Sequence, residues 1–359
     1  MISRSILFLS VLSGAIALPH AKPKADGINP YPDKPRVVFK PDGTFKVTVF
    51  SDLHFGENPW DWWGPEHDAS SVKLMQTVLA DEKPDYAVLN GDLITGENTF
   101  RENSTTIIDI IVGPLNDAKV PFSSTHGNHD NQPNITHLEE TQREQLVAPL
   151  SYTRVAPNGV GGAGGPGNYW VPVYRNANGD FSKTGGFSTG QNPVGVPDWV
   201  DATVGEWIKS ETTAMEAAWG PSEKRGALAF VHIPPHSIQA LQATITPEKN
   251  PGLNGELLII FLTACCTFIY IGHVLLPADL LGVGSIQASG DLSNGKDDRP
   301  FWDSLNTHVK NLHAVISGHD HGNEWCAREP EKDVIFCFDK HAGFVLFSVK
   351  VLKSLQKAS

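Results

Sequence analysis

The stretch Val315–Trp325, VISGHDHGNEW, closes a run of apolar residues with Gly-His-Asp-His. A short apolar run bounded by turn residues reads as a buried strand. A buried strand gains nothing from two histidines at its end unless other parts of the chain supply partners for them. Four more apolar runs end in the same manner: FKVTVFSDLHFGE (Phe45–Glu57), PDYAVLNGDLITGEN (Pro84–Asn98), VPFSSTHGNHDN (Val120–Asn131) and RGALAFVHIPPHS (Arg225–Ser237). Between the runs lie stretches with helical spacing. Asp68–Pro84 places Val72, Met75, Val78 and Leu79 on one face, and Ser104–Val120 and Val194–Gly220 also read as helices. Strands alternating with helices predict an α/β fold, with a central β-sandwich flanked by helices and the polar strand ends gathered into one site.

The strand ends offer Asp52 and His54, Asp92, Asn128 and His129, His232, and His319 and His321. Imidazole nitrogen mixed with carboxylate oxygen suits zinc, iron or manganese, and neither a thiolate set nor an all-oxygen cage is present. Taken singly, each element has an ordinary reading: Asp-x-His is common as a surface pair, and His232 beside Pro234 fits a buried histidine. The full set in order, each member after an apolar run, predicts a metal site. Two cations about 3.5–4 Å apart can clamp the attacking and leaving oxygens of a phosphoryl displacement, and Asp92 is the natural carboxylate to bridge them. Gly91, Gly127 and Gly318 precede Asp92, Asn128 and His319 and let the backbone turn sharply there.

As a set, Asp-x-His, Gly-Asp, Gly-Asn-His-Asp, His and Gly-His-x-His resemble the motifs of the calcineurin-like metallophosphoesterases. The strings FSDLHFGE, LNGDLITGEN, GNHDN, FVHIPPHS and SGHDHGNEWC are similar to those of the fungal and plant branch related to purple acid phosphatases, over roughly Val38 to His341. The resemblance implies the layered metallophosphoesterase fold and hydrolysis of phosphomonoesters by a metal-activated hydroxide. It implies Asp52, His54 and His321 as ligands of one metal, Asn128, His232 and His319 as ligands of a second, and Asp92 between them. It implies His129 as proton donor to the leaving oxygen, with Asp130 orienting it. His319 and His321 then reach neighbouring metals from one backbone stretch. The tyrosine that ligates ferric iron in purple acid phosphatases is replaced here by Thr95. No tyrosinate is therefore expected, and the metals are iron, zinc or manganese. The implied substrate is a phosphorylated small molecule or a phosphoprotein; a phosphodiesterase acting on cyclic nucleotides or lipid head groups is the alternative.

Other residues near the motifs admit two readings. His126 and His236 either touch substrate phosphate or are solvated loop histidines. Trp60, Trp62 and Trp63 either form an aromatic wall over the site or anchor the first loop in the core.

The chain has 359 residues, 40% of them hydrophobic, enough for a large core. A net charge of -12 leaves no basic footprint for nucleic acid. Met1–Ala21, MISRSILFLSVLSGAIALPHA, resembles a secretory signal peptide. The expected organisation is a signal peptide at 1–20, an extended lead-in at 21–37, the metallophosphoesterase domain at 38–345 and an atypical tail at 346–359. Such a chain is expected to be secreted or vacuolar. Asn103-Ser104-Thr105 and Asn134-Ile135-Thr136 are glycosylation acceptor triplets. Cys326 and Cys337 flank a short acidic loop and suit a local disulfide in an oxidising compartment.

One stretch conflicts with this reading. Leu257–Leu276, LLIIFLTACCTFIYIGHVLL, carries no formal charge and by pattern reads as a membrane-spanning helix. A single span there would put His232 on one side of a membrane and His319 and His321 on the other, so no stable span is expected. Residues 257–284 are expected to be either a translated intron or an apolar insertion packed on the surface. The same stretch motivates a reading of another class, an inactive mis-spliced product or a membrane-tethered non-enzyme.

Overall fold

The computed structural model describes residues 28–161, 166–175, 200–221, 225–246, 250, 252 and 299–339. The segments 1–20, 257–284 and 346–359 lie outside the described residues. Among the described residues no helix is long and apolar enough to cross a membrane.

Two sheets carry the architecture. In the first, β2 (Val47–Phe50), β3 (Tyr86–Asn90) and β4 (Phe122–Thr125) run parallel in that order, after a short β1 (Val37–Val38) that pairs with β5 (Val173–Tyr174). In the second, the order is β6 (Ala227–Val231), β7 (Leu312–Ser317), β9 (Val334–Phe338) and β8 (Cys326–Glu329). Only β8 is antiparallel to its neighbour in that sheet. A disulfide joins Cys326 to Cys337, which face each other across β8 and β9.

The side-chain period of two decides which layer each strand residue enters. Val47, Val49, Tyr86 and Val88 of the first sheet meet Phe230, Ile316 and Cys337 of the second in one buried cluster, the interior of a sandwich. The alternate residues Phe50, Ala87 and Leu89 face α1 (Trp63–Glu82) and α2 (Ile107–Ala118). On the far side Ala229, Val231, Val315, Phe336 and Phe338 face α4 (Ala202–Trp219) and α6 (Arg299–His308). Strands such as β3, β6 and β9 are therefore apolar on both faces, which is why they read as runs and not as alternations. The order helix, sheet, sheet, helix is the layered α/β sandwich expected from the sequence.

Helix ends follow local chemistry. Helix α1 takes Pro65 in its first turn, where its missing N–H costs no bond. It stops at Lys83, in a left-handed conformation just before Pro84. Helix α3 (His137–Val147) opens with a capping box between Thr136 and Glu139.

Candidate metal centre

Because neighbouring strands within each group run parallel, their carboxyl ends share an edge, and the loops leaving that edge carry the polar motifs. The backbone bends hard there. Asp52, His54, Asp92 and His319 all have positive φ, at 53°, 49°, 46° and 72°. Such conformations are costly for residues with a Cβ and cluster where a site demands them. Glycine is needed beside them for space. A Cβ on Gly127 would sit 2.5 Å from His232 Cδ2, and one on Gly318 would sit 2.7 Å from Asp52 Oδ2.

The bends gather two groups of donors. Asp52, His54 and His321 bring one ligand atom each within 4.8 Å of one another, and so do Asp92, His232 and His319. Within the first, His321 Nε2 lies 3.3 Å from both Asp52 Oδ1 and His54 Nε2. Within the second, His232 Nε2 lies 3.0 Å from Asp92 Oδ2 yet makes no hydrogen bond. Asp92 Oδ2 is also 3.8 Å from His54 Nε2, so Asp92 stands between the groups. Asn128 Oδ1 is buried with no hydrogen-bond partner.

Supporting contacts aim these atoms. His54 Nδ1 lies 3.0 Å from Thr95 Oγ1, and His232 Nδ1 lies 2.9 Å from the Asn90 carbonyl. Each ring is thereby fixed through Nδ1, leaving Nε2 for an ion. Asp92 Oδ1 accepts from the His129 backbone N–H at 2.8 Å, which leaves Oδ2. Asp52 Oδ2 accepts from Ser51 Oγ at 2.5 Å.

Burial is the largest influence on Asp52 and Asp92 and opposes their ionisation, but the imidazoles around them, His232 foremost, together outweigh it, and both carboxyls sit below the ordinary range. Burial pushes His54 and His319 down to about 4. Burial also lowers His232, but Asp92 and Asp52 raise it to about 10. The carboxylates thus call for positive charge at His232 Nε2, as a proton or as a cation. Nitrogen and oxygen donors without thiolate fit zinc, iron or manganese.

His129 sits at the edge of this cluster, its ring edge-on to His54 at 5.0 Å. Its Nδ1 lies 2.6 Å from Glu97 Oε1. Asp130 was expected in that orienting role, and the structure uses it otherwise. Its Oδ1 accepts from the backbone N–H of Leu93 and Ile94, at 2.7 and 2.9 Å, and its Oδ2 from Gly127 at 2.7 Å. The carboxyl staples the turn after β4 to the turn after β3, and the carboxylate at the imidazole is that of Glu97. Burial and the charge of Asp92 raise it to about 7.

His126 is fully buried and so cannot touch substrate. It stacks on His137 at 4.9 Å and lies 3.7 Å from Glu140. His137 Nε2 donates to the Gly127 carbonyl at 2.8 Å and so braces the turn that carries Asn128. His236 is half-buried between β6 and α5 (Ile238–Gln242). Trp60 and Trp62 are 65% and 72% exposed, which excludes them as core anchors. Thr95 and Glu97 were not read from the sequence as supports. Thr95 was visible only as a substituted tyrosine, and nothing in the motif spacing pointed to Glu97.

Comparison with known proteins identifies the family of the chain. The family model described as calcineurin-like phosphoesterase matches residues 45–244. Phosphatase DCR2 of Saccharomyces cerevisiae is 27% identical over 233 residues, 58% of this chain and 38% of its own length. An uncharacterized protein of Schizosaccharomyces pombe is 23% identical over 304 residues, 82% of this chain and 49% of its own. The chain thus spans less than half the length of these two fungal relatives. Probable inactive purple acid phosphatase 28 of Arabidopsis thaliana is 23% identical over 333 residues, 85% of this chain and 72% of its own. A dimetal phosphatase structure from Danio rerio aligns with 83% of this chain and 88% of its own, at 12% identity and a TM-score of 0.43. With the family model matched across the first sheet, its helices and β6, the protein belongs to the calcineurin-like phosphoesterase family.

Proposed function

We propose that the protein hydrolyses phosphomonoesters at a two-metal centre. One observation carries the reading: two three-residue donor groups lie side by side, with Asp92 between them. Asp52, His54 and His321 would hold one cation, His232, His319 and Asn128 the other, and Asp92 would contact both. When bound, the cations supply Lewis-acid polarisation of the phosphoryl group and of water. The protein's own part is alignment and proton delivery. His129 protonates the leaving oxygen, and Glu97 fixes its ring through Nδ1, leaving Nε2 to carry the proton. The buried carboxylates favour cations such as iron, zinc or manganese, with identity set by supply as much as by donors.

A phosphorylated small molecule or a phosphoprotein is the substrate class, and the secretory route is the proposed location. The test is turnover of an aryl phosphate beside a matched diester, with Asp92→Asn as the control. Monoester cleavage lost in Asp92→Asn supports the reading. Undiminished turnover in that variant sinks it, and faster diester cleavage moves the assignment to a phosphodiesterase.

A further inference from the structure

The two glycosylation triplets are alike in sequence but differ in what the fold does with them. Asn103 lies on the loop before α2, is exposed, and its side chain makes no hydrogen bond among the described residues. The hydroxyl of Thr105, which completes its triplet, is likewise uncommitted.

Asn134 is used by the fold. Its Nδ2 donates to the Thr99 carbonyl at 2.9 Å and to the Glu97 carbonyl at 3.4 Å. Its own carbonyl accepts from Ser104 Oγ at 2.7 Å and from Arg101 Nη1 at 3.1 Å. Thr136, the hydroxyl of this triplet, is spent on the cap of α3, accepting from the Glu139 N–H at 3.2 Å. An N-linked sugar replaces one amide hydrogen by a carbon at a single C–N bond length, about 1.45 Å. Along either donor direction that carbon would come within roughly 2 Å of a backbone carbonyl oxygen, far inside contact distance. A chain modified at Asn134 therefore has to give up the two hydrogen bonds that tie it to the loop carrying Glu97.

We infer that Asn103 is the N-glycosylation site of this protein and that Asn134 stays unmodified in the folded chain. The inference concerns any passage through a glycosylating compartment and is independent of the phosphoesterase reading. The full chain is secreted from a yeast host behind a host leader. The purified soluble protein is deglycosylated enzymatically in ¹⁸O water and both peptides are mapped by mass spectrometry. The expected result is label at Asn103 and none at Asn134, with Asn103→Gln abolishing the electrophoretic shift on deglycosylation. Label at Asn134 in the folded protein, or an unlabelled Asn103, overturns the inference. Because the wild-type chain decides the question, a failure of Asn134→Gln to fold does not affect it.

Discussion

His129 and Glu97 are 32 residues apart in sequence, and their side chains meet at 2.6 Å between Nδ1 and Oε1. The contact is stitched in place from both sides, since the Gly96 N–H donates to the His129 carbonyl at 3.0 Å and Asn134 holds the Glu97 carbonyl. Loss of the carboxylate should therefore disturb the ring and leave the metal ligands alone. Glu97→Ala is expected to lower kcat roughly 10- to 100-fold, the usual scale for an orienting partner, with little change in KM or metal content. Glu97→Gln keeps an acceptor and should recover part of the loss. Equal kcat in all three proteins would remove Glu97 from the site.

Gly127 contributes no ligand, yet its substitution should empty the centre. A Cβ there collides with Asp92 and with the His232 ring. Gly127→Ala is expected to weaken metal affinity at least about tenfold while the circular dichroism stays native. Gly113→Ala is the matched control: nothing lies within 4 Å of its Cβ position in α2. It should raise stability by about 0.5–1 kcal/mol through helix propensity and retain full metal content. A Gly127→Ala protein with normal metal content would contradict the geometry.

Glu140 supplies a pH prediction. It is fully buried, neither oxygen has a hydrogen-bond partner, and burial raises its pKa well above the ordinary carboxylate value. The folded state keeps the proton while the unfolded state loses it. Stability from this group is complete below the unfolded pKa and declines as pH rises towards the folded one. His126 runs oppositely: burial holds it at about 4, so its contribution grows as pH rises to the ordinary imidazole value. Above that value only the Glu140 slope remains between the two. Compared at two pH values above the ordinary carboxylate range, Glu140→Gln should remove a decline of up to about 1.4 kcal/mol per pH unit. Thermal unfolding of both proteins at the two pH values measures it, and parallel curves would refute the assignment.

Trp60 and Trp62 project into solvent from the loop between β2 and α1. Their replacement by alanine should change stability by less than about 0.5 kcal/mol, as for other surface positions. A larger fall in the unfolding midpoint would mean that the indoles pack against the body of the protein.

The candidate donors were legible because each stands just past an apolar run, and a buried strand has no other reason to end in Gly-Asp or Gly-His-Asp-His. The layers were legible for the same reason: strands covered on both faces are continuous apolar stretches, as in Ala87–Leu89 and Val315–Ile316. What escaped is whatever depends on distance in sequence. Glu97 meets His129, and Asn134 meets Thr99, only through loops whose closure leaves no periodic trace. Asp130 was misread because a motif gives residue identity but not whether the carboxyl turns to the ring or to the backbone. His126 was placed near substrate by its neighbours in sequence, yet it follows β4 inward, towards His137 and Glu140.

The division of the candidate donors between the sheets has a mechanical consequence. Loops of the first sheet carry Asp52, His54, Asp92 and Asn128, and loops of the second carry His232, His319 and His321. Each donor group mixes the two sources. An ion seated in either group is therefore a rivet through the seam of the sandwich. Its binding energy adds to the cohesion of the two halves, which cannot part at this edge without releasing it.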